Sequence, residues 1–111
     1  MAKNHESLRQ YILSYCHQQR PHRARFDPFS DAITHGLPGH EGWDVIIDMH
    51  KNGLVDAARW DGAGERSYQD WASDADFRDS TKSEDRLHVR VKITLRGTEL
   101  FESMPKGKLG F

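Results

Sequence analysis

A chain of 111 residues can bury one hydrophobic core, so a single domain over residues 1–111 is expected. With 30% charged residues, a mean hydropathy of -0.82 and no apolar run near the roughly 20 residues that cross a bilayer, a soluble protein without a membrane partner is expected. Sixteen Lys/Arg against 17 Asp/Glu leave a net charge of -1, which excludes a global attraction for nucleic acid and leaves only local ones.

The local charge is uneven. Residues 1–60 hold seven Lys/Arg and seven Asp/Glu, residues 61–86 four and eight, and residues 87–111 five and two. Protonation of the seven histidines would turn the whole chain positive. The single cysteine, Cys16, cannot form an internal disulfide, and "MAKNHESLRQ" lacks the apolar core of an export signal, so a cytoplasmic protein with a buried cysteine is expected.

In chain order, Leu8, Tyr11, Ile12 and Tyr15 recur at the spacing of an amphipathic helix, capped by Asn4 and ended by Pro21. Leu13 falls off that stripe, as an inert exposed leucine or a contact to a partner subunit in a homodimer. A linker, "RPHRARF", leads to a short second helix with Asp27 as N-cap, Pro28 in its first turn, Phe29, Ala32 and Ile33 inward, and Gly36 as its stop. A third helix is expected from about Glu41 to Asn52, with Trp43, Ile46, Ile47 and His50 on one face and Gly53 beyond its end. There His50 reads as a hydrogen-bonded core histidine.

"LVDAARW" then reads as a strand and "LHVRVKI" as its partner, in which Leu87, Val89, Val91 and Ile93 alternate with His88, Arg90 and Lys92. After Ile93 the period changes from two to between three and four. Thr94 caps a last helix with Leu95, Leu100 and Phe101 inward, followed by a flexible tail over about residues 105–111 with Lys106 and Lys108.

"VIIDMHKNGLVDAA", a helix stopped at Asn-Gly before an apolar strand, and "VKITLRGTELFES", a strand entering a helix through Thr-x-x-Gly, resemble the winged-helix domains of small bacterial and phage proteins. The resemblance spans Leu8 to Met104. It implies an α+β winged helix: three N-terminal helices, a two-stranded antiparallel wing with a long acidic insertion, and a C-terminal helix. In that family the third helix commonly enters the major groove.

Here the outer face of the third helix carries Glu41, Asp44, Asp48, Lys51 and Asn52, three acids to one base, which opposes a groove lined by phosphates. Only Lys51 and Asn52 are suited to reach DNA from its end. The wing differs: His88, Arg90 and Lys92 share the outer face of one strand, with Arg59 on its neighbour, and such a stripe contacts phosphates or solubilises an edge strand. The connection over about residues 61–86 places Tyr68, Trp71, Ala72 and Ala75 at helical spacing among Asp70, Asp74, Asp76 and Asp79. Its aromatics and acids either dock a basic protein surface or mimic the charge of DNA, or Trp71 and Phe77 fold back over the domain's own core.

No phosphate loop, H-E-x-x-H or G-x-S-x-G is present, so no enzyme is expected. Cys16, His17 and His22, or His35, His40 and Glu41, lack the four-ligand spacing of a zinc site, so neither metal nor cofactor is expected. Two functions remain. One is a regulator that touches double-stranded DNA through Arg59, His88, Arg90 and Lys92, helped by Lys51 and Asn52. The other is a protein-binding adaptor or inhibitor using Asp44, Asp48, Asp70, Trp71 and Asp74.

Overall fold

The computed structural model describes residues 2–60, 63–78 and 89–103. In chain order these form α1 (Ala2–Gln19), β1 (Ala24–Phe26), α2 (Pro28–Thr34), α3 (Glu41–Lys51), β2 (Val55–Trp60) and β3 (Glu65–Ser67). A single 3-10 turn at Tyr68–Asp70, α4 (Asp74–Arg78), β4 (Val89–Ile93) and α5 (Leu95–Ser103) complete the described chain. This is an α+β arrangement of five α-helices and one antiparallel sheet with strand order β1-β4-β2-β3. Among the described residues no helix is long and apolar enough to cross a membrane.

The centre of the sheet is the strand pair expected from alternation. Val55 lies opposite Ile93 and Ala57 opposite Val91, and Val89, Val91 and Ile93 are buried while Arg90 and Lys92 are exposed. The sheet is wider than a two-stranded ribbon, because "RPHRARF" contains β1, paired with β4, and the insertion contains β3, paired with β2. Both added strands are three residues long, too short to show a period. Ala24 and Phe26 of β1 join Val55, Ala57, Val89, Val91 and Ile93 on the face that meets the helices.

Helix α1 begins at Ala2, ahead of the Asn4 expected to cap it. It buries Leu8, Ile12, Leu13 and Cys16, so Leu13 meets the core and not a partner subunit. The apolar stripe is broad because α1 packs against α3, α5 and the sheet at once. Tyr11 and Tyr15 close its edge on Phe26 with ring centroids 6.0 and 5.4 Å away, in T-shaped geometry.

Asp27 caps α2 as expected, its carboxylate accepting the Ser30 N–H at 3.3 Å, with Pro28 in the first turn. The inward side is Pro28 and Ala32, whereas Phe29 and Ile33 are 52% and 56% exposed. Close approach explains the rotation. A Cβ on Gly42 of α3 would lie 1.9 Å from the Pro28 carbonyl oxygen, so α2 meets α3 through its smallest side chains and turns the larger ones out.

Helix α3 buries Trp43, Val45, Ile46, Ile47 and Met49 and ends as predicted at Gly53, whose φ of 74° is left-handed. The Leu54 N–H then reaches the Met49 carbonyl at 3.0 Å and the chain passes straight into β2. At the other junction Thr94 accepts the Gly97 N–H at 3.0 Å and donates to the Leu54 carbonyl at 2.9 Å, capping α5 and tying it to the start of β2. Gly97 is buried there, and a Cβ would sit 2.0 Å from the Leu54 oxygen. Leu95, expected inward, is 77% exposed and Leu100 is also exposed. Phe101 is half-buried against His17, ring centroids 4.6 Å apart.

The described part of the insertion folds back on the domain. Phe77 is fully buried, its ring edge-on to Trp43, Tyr68 and Trp71 at 6.1, 5.1 and 5.7 Å. The expected helix through Tyr68, Trp71 and Ala75 is instead the 3-10 turn followed by α4, since packing of Phe77 overrides the spacing. Residues 79–88, with Asp79, Leu87 and His88, and residues 104–111, with Lys106 and Lys108, lie outside the described residues.

Candidate functional site

Strand alternation leaves a charged outer face on the sheet. Arg25 of β1 stands opposite Arg90 of β4, Lys92 opposite Asp56 of β2, and Ser67 of β3 opposite Ala58. Arg25, Arg90, Lys92 and Glu65 are exposed, Asp56 and Ser67 half-buried, and Ala58 is buried among its longer neighbours. Arg23, just before β1, reaches across this face. It donates to the Asp56 carboxylate and backbone oxygen, each at 2.7 Å, and its Nε lies 2.8 Å from Glu65 Oε1. The other Glu65 oxygen is 3.7 Å from Arg90.

Asp56 is the anchor of the network. Burial works against its charge, but hydrogen bonds from Arg23 and Ser67, with the positive charge of Arg23, outweigh burial and hold its carboxyl below the ordinary range. His50 borders the same corner. Its Nδ1 accepts the Ala57 N–H at 3.1 Å, lies 3.9 Å from Asp56, and its ring packs 4.9 Å from Tyr68. Burial lowers its pKa, while the Asp56 charge and a Gln69 hydrogen bond oppose the shift. A proton on Nδ1 would remove the acceptor that Ala57 uses, so the expected role of hydrogen-bonded histidine fits this geometry.

The sequence-derived basic stripe is redistributed. Arg90 and Lys92 share the outer face, His88 lies outside the described residues, and Arg59 is on the opposite side. Arg59 points toward the helices, 1% exposed, with its guanidinium 4.7 Å from the Trp43 ring centroid and a hydrogen bond to the Phe77 carbonyl. It shares inward parity with Val55 and Ala57, and its role is to hold the insertion against α3. Lys51 is spent on Asp74 at 3.1 Å, and that hydrogen bond raises its pKa. Asn52 donates to the Asp48 carbonyl at 2.9 Å, closing its own helix.

Of the acidic residues, Asp44 and Asp48 are exposed on α3 and line a cleft of about 450 Å³ with His5, Arg9, His40 and Glu41. His5 and Glu41 are joined across it at 2.5 Å. Asp70 is exposed and its carbonyl accepts from Arg66, whose guanidinium stacks over Trp71 at 5.5 Å. Trp71 donates its indole N–H to the Arg66 carbonyl at 3.1 Å, and Asp74 accepts from both Lys51 and the Tyr68 hydroxyl. These insertion residues thus serve the domain's own packing, and Asp70 and Asp74 form no common surface with Asp44 and Asp48 in the cleft of α3. Burial, then the Asp74 hydrogen bond, raises the Tyr68 pKa.

Arg23, Arg25, Asp56 and Glu65 are charged outer-face residues that sequence reasoning passed over. The alternation Arg23-x-Arg25 was the available signal, short and placed in an apparent linker. Among the described residues no group of three or more His, Cys, Asp or Glu is placed to hold a metal ion. Burial pushes the Cys16 thiol up to about 12, a poor nucleophile. No family model, curated protein or solved structure matches this chain.

Proposed function

We propose that this chain is a small winged-helix domain that grips the phosphate backbone of double-stranded DNA with the outer face of its sheet. The fold part rests on the third helix stopping at Gly53 and entering β2 directly, and on β4 running through Thr94 into a closing helix. The observation that carries the nucleic-acid part is the register of Arg25 opposite Arg90, with Lys92 two residues along on the same exposed face. Cationic side chains grouped in this way can donate charge-assisted hydrogen bonds to phosphate oxygens, as Arg90 already faces the Glu65 carboxylate. The acidic face of α3 turns that helix away from the groove, so affinity without base discrimination is expected.

Binding of a short duplex DNA, followed by fluorescence anisotropy at two salt concentrations, tests this. Arg90→Ala with Lys92→Ala should weaken binding to every sequence and reduce the salt slope by up to about two units, roughly one per lost phosphate contact. Asp44→Asn with Asp48→Asn should leave binding intact or strengthen it. Unchanged affinity in the first pair would remove the sheet face from the interface.

A protein-binding adaptor is the second reading, favoured by Asp44 and Asp48 on α3 and by exposed Phe29 and Ile33 on the adjoining α2. Trp71 and Asp74 drop out of that surface because they are held by Arg66, Lys51 and Tyr68. Capture of a basic protein partner that is lost in Asp44→Asn with Asp48→Asn, and kept in the Arg90 and Lys92 variant, would select it.

A further inference from the structure

The outer face already holds one anion. The two carboxylate oxygens of Glu65 are divided between two guanidinium groups, one on Arg23 Nε at 2.8 Å and the other near Arg90 Nη1 at 3.7 Å. A phosphodiester carries its two unesterified oxygens at a similar spread and with the same charge, so Glu65 sits as a phosphate would. We infer that Arg23 and Arg90 form a discrete phosphate position and that Glu65 is its built-in competitor, swung aside when DNA binds. This rests on the nucleic-acid reading above and names the residues that set its strength.

Three features make Glu65 displaceable while the site persists. Arg23 keeps its two Asp56 bonds at 2.7 Å when Glu65 leaves, so its guanidinium stays over the sheet. Asp56 is in turn held by Ser67 at 3.0 Å. Glu65 itself opens a three-residue edge strand, and with its side chain 32% exposed and that of Arg23 25% exposed, a polyanion can reach the partly exposed pair. Arg90, at 49% side-chain exposure, needs only to exchange one oxygen for another.

The test uses the full chain, the same duplex DNA and a charge-matched control. Glu65→Gln keeps the shape of the side chain and removes the competing charge, and should tighten binding by up to about fivefold, the range of a solvent-exposed ion pair. Glu99→Gln, on exposed α5, changes the net charge equally and should have a smaller effect. If Glu65→Gln gains no more than Glu99→Gln while the Arg90 and Lys92 variant still weakens binding, the competitor role is overturned and the DNA face stands. If the Arg90 and Lys92 variant is unaffected, the DNA face falls and this inference with it. Glu65→Thr, a strand-forming substitution, repeats the measurement should the glutamine variant unfold, and again must exceed Glu99→Gln.

Discussion

His50 shows how a single side chain links packing to pH. Its pKa lies below the ordinary histidine value of 6.5, chiefly through burial, so below that value the unfolded chain takes a proton that the folded one resists. Its contribution is complete above pH 6.5 and is lost as pH falls toward the folded value. His50→Gln retains a side-chain oxygen able to accept from Ala57 but cannot titrate. The denaturant midpoint of the wild type should therefore drop more steeply than that of the variant as pH falls below 6.5. Parallel curves would remove His50 as the cause. Asp56 acts in the same direction lower down: its pKa is below the ordinary 3.8, so the stability it adds disappears as pH falls past that value.

At the scale of elements, short segments are decided by what they touch. The sequence of α5 marks Leu95 as an inward residue, yet Gly97 is the point of contact, because only a residue without a Cβ lets the helix lie against the Leu54 carbonyl. Helix α4 is five residues long and would not persist alone. Phe77 holds it in the core, with Arg59 bonding the Phe77 carbonyl from below. Phe77→Ala should cost about 3–5 kcal/mol by emptying that position. Protease cutting within residues 61–86 should rise with it, read by mass spectrometry of the fragments. A small loss with unchanged cutting would mean that the insertion contributes little to the core.

Across the whole molecule, charge is biased by face: the outer sheet carries Arg23, Arg25, Arg90 and Lys92 against Asp56 and Glu65, while α3 presents Asp44 and Asp48. A net charge of -1 makes the attraction to DNA dependent on this bias, to which His88 would add charge because it alternates with Arg90 and Lys92 in the sequence. Affinity for duplex DNA should rise as pH falls from about 7.5 to about 6, the ordinary histidine range. Anisotropy with circular dichroism as a check of folding measures it. Flat affinity in folded protein would confine binding to the guanidinium and ammonium groups, whose charge is constant over that interval.

Alternation and helical spacing by themselves determined α1, α3, the β2–β4 pair and the change of period at Thr94, because each is long enough for its buried face to recur several times. The caps at Asp27, Gly53 and Thr94 were legible for a related reason: they satisfy backbone groups within a few residues of themselves. Tertiary structure alone decided that Arg59 is buried while Arg23 and Arg25 join Arg90, that Leu13 is core, and that Phe29 and Ile33 face out. Leu13 is core because α1 meets α3, α5 and the sheet at once, and the other outcomes depend on β1, β3, α2 and α4, elements of one or two turns or three residues. Their periodicity is too brief to choose a face, so the choice falls to partners distant in the chain: Phe77 for Arg59, Asp56 and Glu65 for Arg23, and Gly42 for the side of α2 that turns inward.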